Sequence, residues 1–224
     1  MTLDLPRDLP AALTDRAAAW RLVADLAAFW GAPLVPGAGH TDAELDAAEA
    51  RLGLRLPAAL REAYALLGHR PDLTGNQDTL LPPAELHTDR GCLVYRVENQ
   101  SCAYWGIPLD TLDRDDPPTV CWPDTAPSVE PETSPWTARL SVECLAVVLL
   151  EPLFDEDAHT DAGEVDTAAL EGWTALPRLH EPGVDTRFFA HPHALLATLG
   201  DTWFSLRADS EEALDELCER LPLI

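Results

Sequence analysis

The apolar residues of this 224-residue chain recur at helical spacing in some stretches and in β-prone runs in others, and that mixture argues against both an all-helical bundle and an all-strand barrel. Up to Gly68 they recur at helical intervals. Thr14 is placed to cap a helix running to about Trp30, with Trp20, Val23, Leu26, Ala27 and Trp30 on one face before Gly31 and Pro33 end it. Thr41-Asp42-Ala43-Glu44 is a capping box, in which hydroxyl and carboxylate satisfy backbone donors that a first helical turn leaves unpaired. It announces a helix edged by Leu45, Ala48 and Leu52 and stopped by Gly53. Pro57 then opens a third helix through Leu60, Ala63, Tyr64 and Leu67 to Gly68.

Turn formers dominate residues 70–86, which read as an ordered loop, and the period is different beyond them. Residues 92–98 and 101–107 are β-prone runs expected to pair as an antiparallel hairpin around Asn99-Gln100. Residues 119–122 follow as a third strand after the rigid turn Asp115-Asp116-Pro117-Pro118. The proline-rich stretch 123–135 is expected to be an exposed loop. A helix is expected from Ser134-Pro135-Trp136 through Leu140, Cys144, Leu145, Val148 and Leu149 to Pro152, and the acidic residues 155–166 are expected to form a mobile loop. Residues 186–190 and 202–207 read as strands flanking a short element at 194–199. Ser210-Glu211-Glu212 caps a terminal helix bearing Leu214, Leu217 and Leu221. The expectation is an α+β fold, helices packed against an antiparallel β-sheet. It forms one domain over residues 1–224, with its core at about 20–150 and residues 151–224 as a C-terminal extension.

Composition narrows the function. The fractions of hydrophobic residues (46%) and charged residues (24%) are those of a folded protein rather than a disordered or membrane-spanning one. The longest aliphatic run, Leu145 to Leu150, is far too short to span a bilayer, and Asp4 and Asp8 stand where a signal peptide would be apolar. A cytoplasmic location without membrane attachment is the expectation. All fifteen basic residues are Arg against 39 acidic ones, for a net charge of −24. Such a surface repels nucleic acid and favours a protein partner with a basic face. The absence of Lys excludes Schiff-base and pyridoxal chemistry on the chain's own residues. Five cysteines, odd in number and without a Cys-x-x-Cys pair, argue against a zinc ribbon or a disulfide framework.

Glu49, Leu52-Gly53, Leu56-Pro57, Leu60, Tyr64 and Leu67-Gly68, followed by Leu80-Leu81-Pro82, Leu93-Val94-Tyr95, Glu98-Asn99-Gln100, Trp105-Gly106-Ile107 and Asp116-Pro117-Pro118, resemble in order the signature of the SUKH superfamily. The resemblance covers roughly residues 20–150. It departs at Gly68-His69, where the family usually has Asn-Gly. It implies an α+β fold and a binding role, since many bacterial members look like immunity proteins that neutralise polymorphic toxins, often nucleases. Fungal relatives look like regulatory interaction proteins. No catalytic residues come with it.

No Gly-x-Ser-x-Gly elbow, phosphate-binding Gly-x-x-x-x-Gly-Lys or His-Glu-x-x-His is present. Asp155-Glu156-Asp157-Ala158-His159-Thr160-Asp161 alternates ligands as a hard cation requires, but a calcium loop counted from Asp157 has Ala162 at its glycine position and Ala168 at its glutamate position. His191-Pro192-His193 with His180 is a candidate zinc grouping, and Cys92 or Cys102 a candidate nucleophile; core and turn roles account for these residues better. No cofactor and no metal is expected. The partner-binding candidates combine the hairpin turn Glu98, Asn99 and Gln100 with two aromatic anchors rimmed by acids. These are Trp105 with Asp110, Asp113, Asp115 and Asp116, and Trp122 with Asp124, Glu130 and Glu132.

The reading is a non-enzymatic acidic protein-binding domain, resembling an immunity protein that occludes the basic face of a toxin. Its alternatives are a regulatory or scaffolding module and a metal-dependent hydrolase built on the His and Asp residues of 155–193.

Overall fold

The computed structural model describes residues 3–124, 132–200 and 202–222. In chain order these form α1 (Leu5–Ala12), α2 (Arg16–Phe29), α3 (Asp42–Leu52), α4 (Ala58–Leu67), the single turn α5 (Pro71–Thr74), β1 (Thr79–Leu80), β2 (His87–Asp89), β3 (Cys92–Val97) and β4 (Ala103–Pro108). They continue as β5 (Thr119–Pro123), β6 (Ser134–Thr137), α6 (Leu140–Leu150), β7 (Thr160–Glu164), β8 (Thr174–Ala175), β9 (Arg187–His191), β10 (Ala194–Leu199), β11 (Trp203–Ala208) and α7 (Glu211–Cys218). The fold is α+β, with two antiparallel sheets. Among the described residues, those after 150 carry the second sheet and add no strand to the first.

The chain divides into two compact units. One comprises Leu34–Cys144, the other Met1–Pro33 with Leu145–Ile224, so that a boundary falls inside α6.

The Leu34–Cys144 unit starts from the capping box, which forms as its residues dictate. The Thr41 hydroxyl accepts from the Glu44 backbone, the Glu44 carboxylate accepts from the Thr41 N–H at 2.8 Å, and Gly53 ends α3 in the left-handed conformation at φ 68°. Helix α4 buries Leu60, Ala63, Tyr64 and Leu67, and the Tyr64 hydroxyl donates to the Leu81 carbonyl at 2.6 Å. The sheet runs β1-β3-β4-β5-β6, with β1 and β2 sharing one edge of β3. The β3–β4 hairpin is the expected one, with a register shift between Val94 and Arg96 that leaves Tyr95 without a strand partner. At Gly106 in β4 a Cβ would lie 2.9 Å from both the Trp122 ring and the Cys92 Cβ, so glycine is what lets the Trp122 indole lie over the strand.

Two expectations for this unit are corrected. Residues 134–137 are not the start of a helix but the edge strand β6, paired with β5. Proline is tolerated there because an edge strand has a side that needs no N–H, and the Thr119 and Thr137 hydroxyls meet at 2.7 Å. Helix α6 begins only at Leu140. Of the expected 123–135 loop, residues 125–131 lie outside the described residues.

In the other unit, α1 was not anticipated; Asp4 caps it with its carboxylate on the Arg7 N–H. Helix α2 is capped by Asp15, not Thr14, through the Ala18 N–H at 2.6 Å. The sheet runs β7-β11-β10-β9-β8, and Leu217 of α7 and Leu221 just beyond it pack with Phe189, Leu196, Phe204 and Leu206. The acidic loop expected over 155–166 is corrected in part. Residues 160–164 form the edge strand β7 on β11, held by backbone hydrogen bonds that need no apolar pattern. The short element at 194–199 is the central strand β10, buried along both faces.

Candidate functional site

The topology of the first sheet separates the partner-binding candidates into two groups. Glu98, Asn99 and Gln100 occupy the β3–β4 turn, and Asp124 and Glu132 flank the adjoining ends of β5 and β6; the Asp124 N–H donates to the Cys102 carbonyl at 2.7 Å. Asp110, Asp113, Asp115 and Asp116 lie in the β4–β5 connection, at the opposite end. Six-residue β4 separates the groups by about 17–20 Å. They do not make one patch. Glu130 lies outside the described residues.

The aromatic anchors are corrected outright. Trp122 is 1% exposed and Trp105 6% exposed, so neither offers a ring to a partner. Trp122 lies over Gly106 and stacks on Tyr104, with centroids 6.0 Å apart; Trp105 meets Trp136 edge-on at 5.8 Å and carries the Arg96 guanidinium 4.5 Å above its ring. The register pairs Trp122 with Tyr104 and Trp105 with Cys121, so the two indoles are buried on opposite faces of the sheet.

Two acids are likewise structural. The Asp116 side chain is 7% exposed. It accepts from Arg139 Nε at 2.9 Å, from the Ser141 hydroxyl at 2.6 Å and from the Ser141 N–H at 2.8 Å, capping the first turn of α6 from a distant loop. The Glu98 carboxylate accepts from the Gln100 and Cys102 N–H groups at 2.8 and 2.9 Å and closes the hairpin turn. The left-handed residue of that turn is Ser101, at φ 59°, not Asn99. Asn99, Gln100, Asp110, Asp113, Asp115, Asp124 and Glu132 remain as exposed candidates.

The residues of the hydrolase alternative do not converge. Asp155 accepts from Arg207, which stacks on Trp30 at 4.5 Å, and His193 pairs with Asp209 at 2.8 Å. His191 instead lines a cavity of about 540 Å³ with Leu26, Trp30 and Leu195, where burial first, then His193, lowers its pKa. Cys92 is buried, and burial raises its thiol pKa.

Among the described residues one group brings three possible metal ligands together, and it is elsewhere: His40, Glu44 and His69, each with a ligand atom within 4.8 Å of the others. His40 Nδ1 lies 3.2 Å from Glu44 Oε1. The second Glu44 oxygen is held by the Thr41 N–H and hydroxyl, which with His40 bring the carboxyl down to about 2. His69 Nδ1 sits 2.9 Å from the Ala38 carbonyl and so is the protonated nitrogen. The rings of His40 and His69 meet edge-on at 4.3 Å.

No protein-family model, curated protein or solved structure matches this chain.

Sequence reasoning passed over the cluster because only His40 and Glu44 carry a local signal, their spacing of four at a helix start. His69 joins them through the α3–α4 packing.

Proposed function

We propose that this chain is an acidic protein-binding protein of the immunity type, which captures a partner through that partner's basic face. One observation carries the reading. Among the described residues exposed carboxylates outnumber exposed Arg side chains, and several Arg are engaged within the chain. Arg61 is held by Asp42, Asp46 and Glu49, Arg70 by Asp72, Arg96 by Asp78 and Glu143, Arg139 by Asp116 and Arg207 by Asp155, and Arg51 donates to the Pro83 and Leu86 carbonyls. Both units share the imbalance, with 18 acidic residues against 8 Arg in residues 34–144 and 21 against 7 in the remainder. A field of that sign steers a cationic surface inward and repels nucleic acid.

Asp110, Asp113 and Asp115 form the larger of the two exposed acidic groups, with Asp89 in the neighbouring turn that the Leu109 N–H to Gly91 carbonyl bond holds alongside. The test is capture from the native cytoplasm at low salt, with bound chains identified by mass spectrometry. A basic toxin domain in stoichiometric amount, released as ionic strength rises and weakened by Asp110→Arg with Asp113→Arg, is the expected result. Recovery of housekeeping proteins alone favours the regulatory reading, and salt-independent capture overturns the electrostatic one.

A further inference from the structure

We propose that His40, Glu44 and His69 form a binding site for one divalent transition-metal ion of the zinc class. The donor set selects the ion. Two imidazoles, which are borderline ligands, completed by one carboxylate suit Zn²⁺ and its neighbours, whereas Ca²⁺ and Mg²⁺ favour all-oxygen sets.

The spacing fits as well. Bonds of about 2.0–2.2 Å in a tetrahedral site place ligand atoms about 3.3–3.5 Å apart. The 3.2 Å between His40 Nδ1 and Glu44 Oε1 already matches one edge, with a proton where the ion would sit. His69 offers a ligand atom within 4.8 Å of the other two from an exposed side chain. Three protein ligands leave the fourth position to water.

What surrounds the ligands matches what orients metal ligands elsewhere. With His69 Nδ1 donating to the Ala38 carbonyl, its Nε2 lone pair is the one presented. The Glu44 oxygen not facing His40 is tied by Thr41, so the carboxylate cannot swing away. The His40 backbone is pinned by its N–H on the Tyr64 carbonyl at 3.0 Å, and the His40 side chain is only 9% exposed. Glycine at 68 is a steric requirement of the same arrangement, because a Cβ there would collide with His40 Cδ2. The ion would join the start of α3 to the end of α4, stabilising the unit by mass action.

The experiment uses the full chain, tag-free and stripped with chelator, then titrated with Zn²⁺ and with Co²⁺ as a coloured probe. Expected are one ion per chain, a visible Co²⁺ band of tetrahedral or five-coordinate intensity, and a melting temperature that rises with Zn²⁺. His69→Ala, at an exposed position outside the helix, is expected to weaken binding by about a hundredfold and to abolish the thermal shift. Glu44→Gln keeps an amide able to cap α3 while removing the anionic ligand, so its loss of binding is expected with the fold intact. A His191→Ala, His193→Ala double variant is expected to bind as the parent does. Absence of stoichiometric binding, survival of binding in His69→Ala, or its loss in the double variant would each overturn the site.

Discussion

Arg96 and Glu143, 47 residues apart in sequence, face each other at 3.4 Å with side chains only 3% and 1% exposed. Asp78 lies closer to the same guanidinium, at 3.0 Å, so one cation serves two carboxylates and Glu143 is the one that gives up its charge. Burial drives its carboxyl up from 4.5 to about 7 against the opposing pull of Arg96 and the Trp136 indole. A carboxyl raised on folding favours the folded state when protonated. That contribution is complete below about 4.5 and is lost as pH rises through about 7. Glu143→Gln cannot ionise, so chemical unfolding is expected to show its stability relative to the parent improving by on the order of 3 kcal/mol from about pH 5 to about pH 8. A difference constant with pH would refute the raised Glu143.

Gly106→Ala is expected to cost about 1–3 kcal/mol by overpacking, because its Cβ has to displace the Trp122 ring or Cys92. A shift in tryptophan emission should accompany the lowered melting temperature. An unchanged melting temperature would mean the indole moves aside freely.

Removing the Asp116 carboxylate leaves Arg139 and the first turn of α6 without their acceptor. Asp116→Ala is therefore expected to lose about 2–3 kcal/mol, whereas Asp110→Asn, exposed in the same connection, stays within about 0.5 kcal/mol of the parent. Equal melting temperatures for the two variants would contradict the capping role.

Cys102 is the exposed thiol, while Cys92 and Cys144 are buried. Burial also raises Cys121 and Cys218 to about 12. Thiol titration of the native protein at neutral pH should therefore show one fast group, absent in Cys102→Ser, and five groups in denaturant. Several fast groups without denaturant would place the other thiols in contact with solvent.

Local chemistry by itself determined much of this protein. The Thr41–Glu44 box, Gly53, Pro57 and Ser210 mark helix ends because a cap is a contact between residues a few positions apart. The β3–β4 hairpin is legible because one short turn joins two β-prone runs. Net charge is additive, so the acidic character follows from counting. Tertiary structure decided what depends on partners distant in sequence. Ser134–Thr137 became a strand because β5 offered an edge, and Thr160–Glu164 did so because β11 offered another. Trp105 and Trp122 went inward because Arg96, Tyr104 and Gly106 receive them, and Asp116 was drawn from the acidic rim to cap a helix 25 residues away. The same cause assembled His40, Glu44 and His69. Ligand geometry is a property of packed elements, and the packing of α3 on α4 sets it where no local period or spacing does.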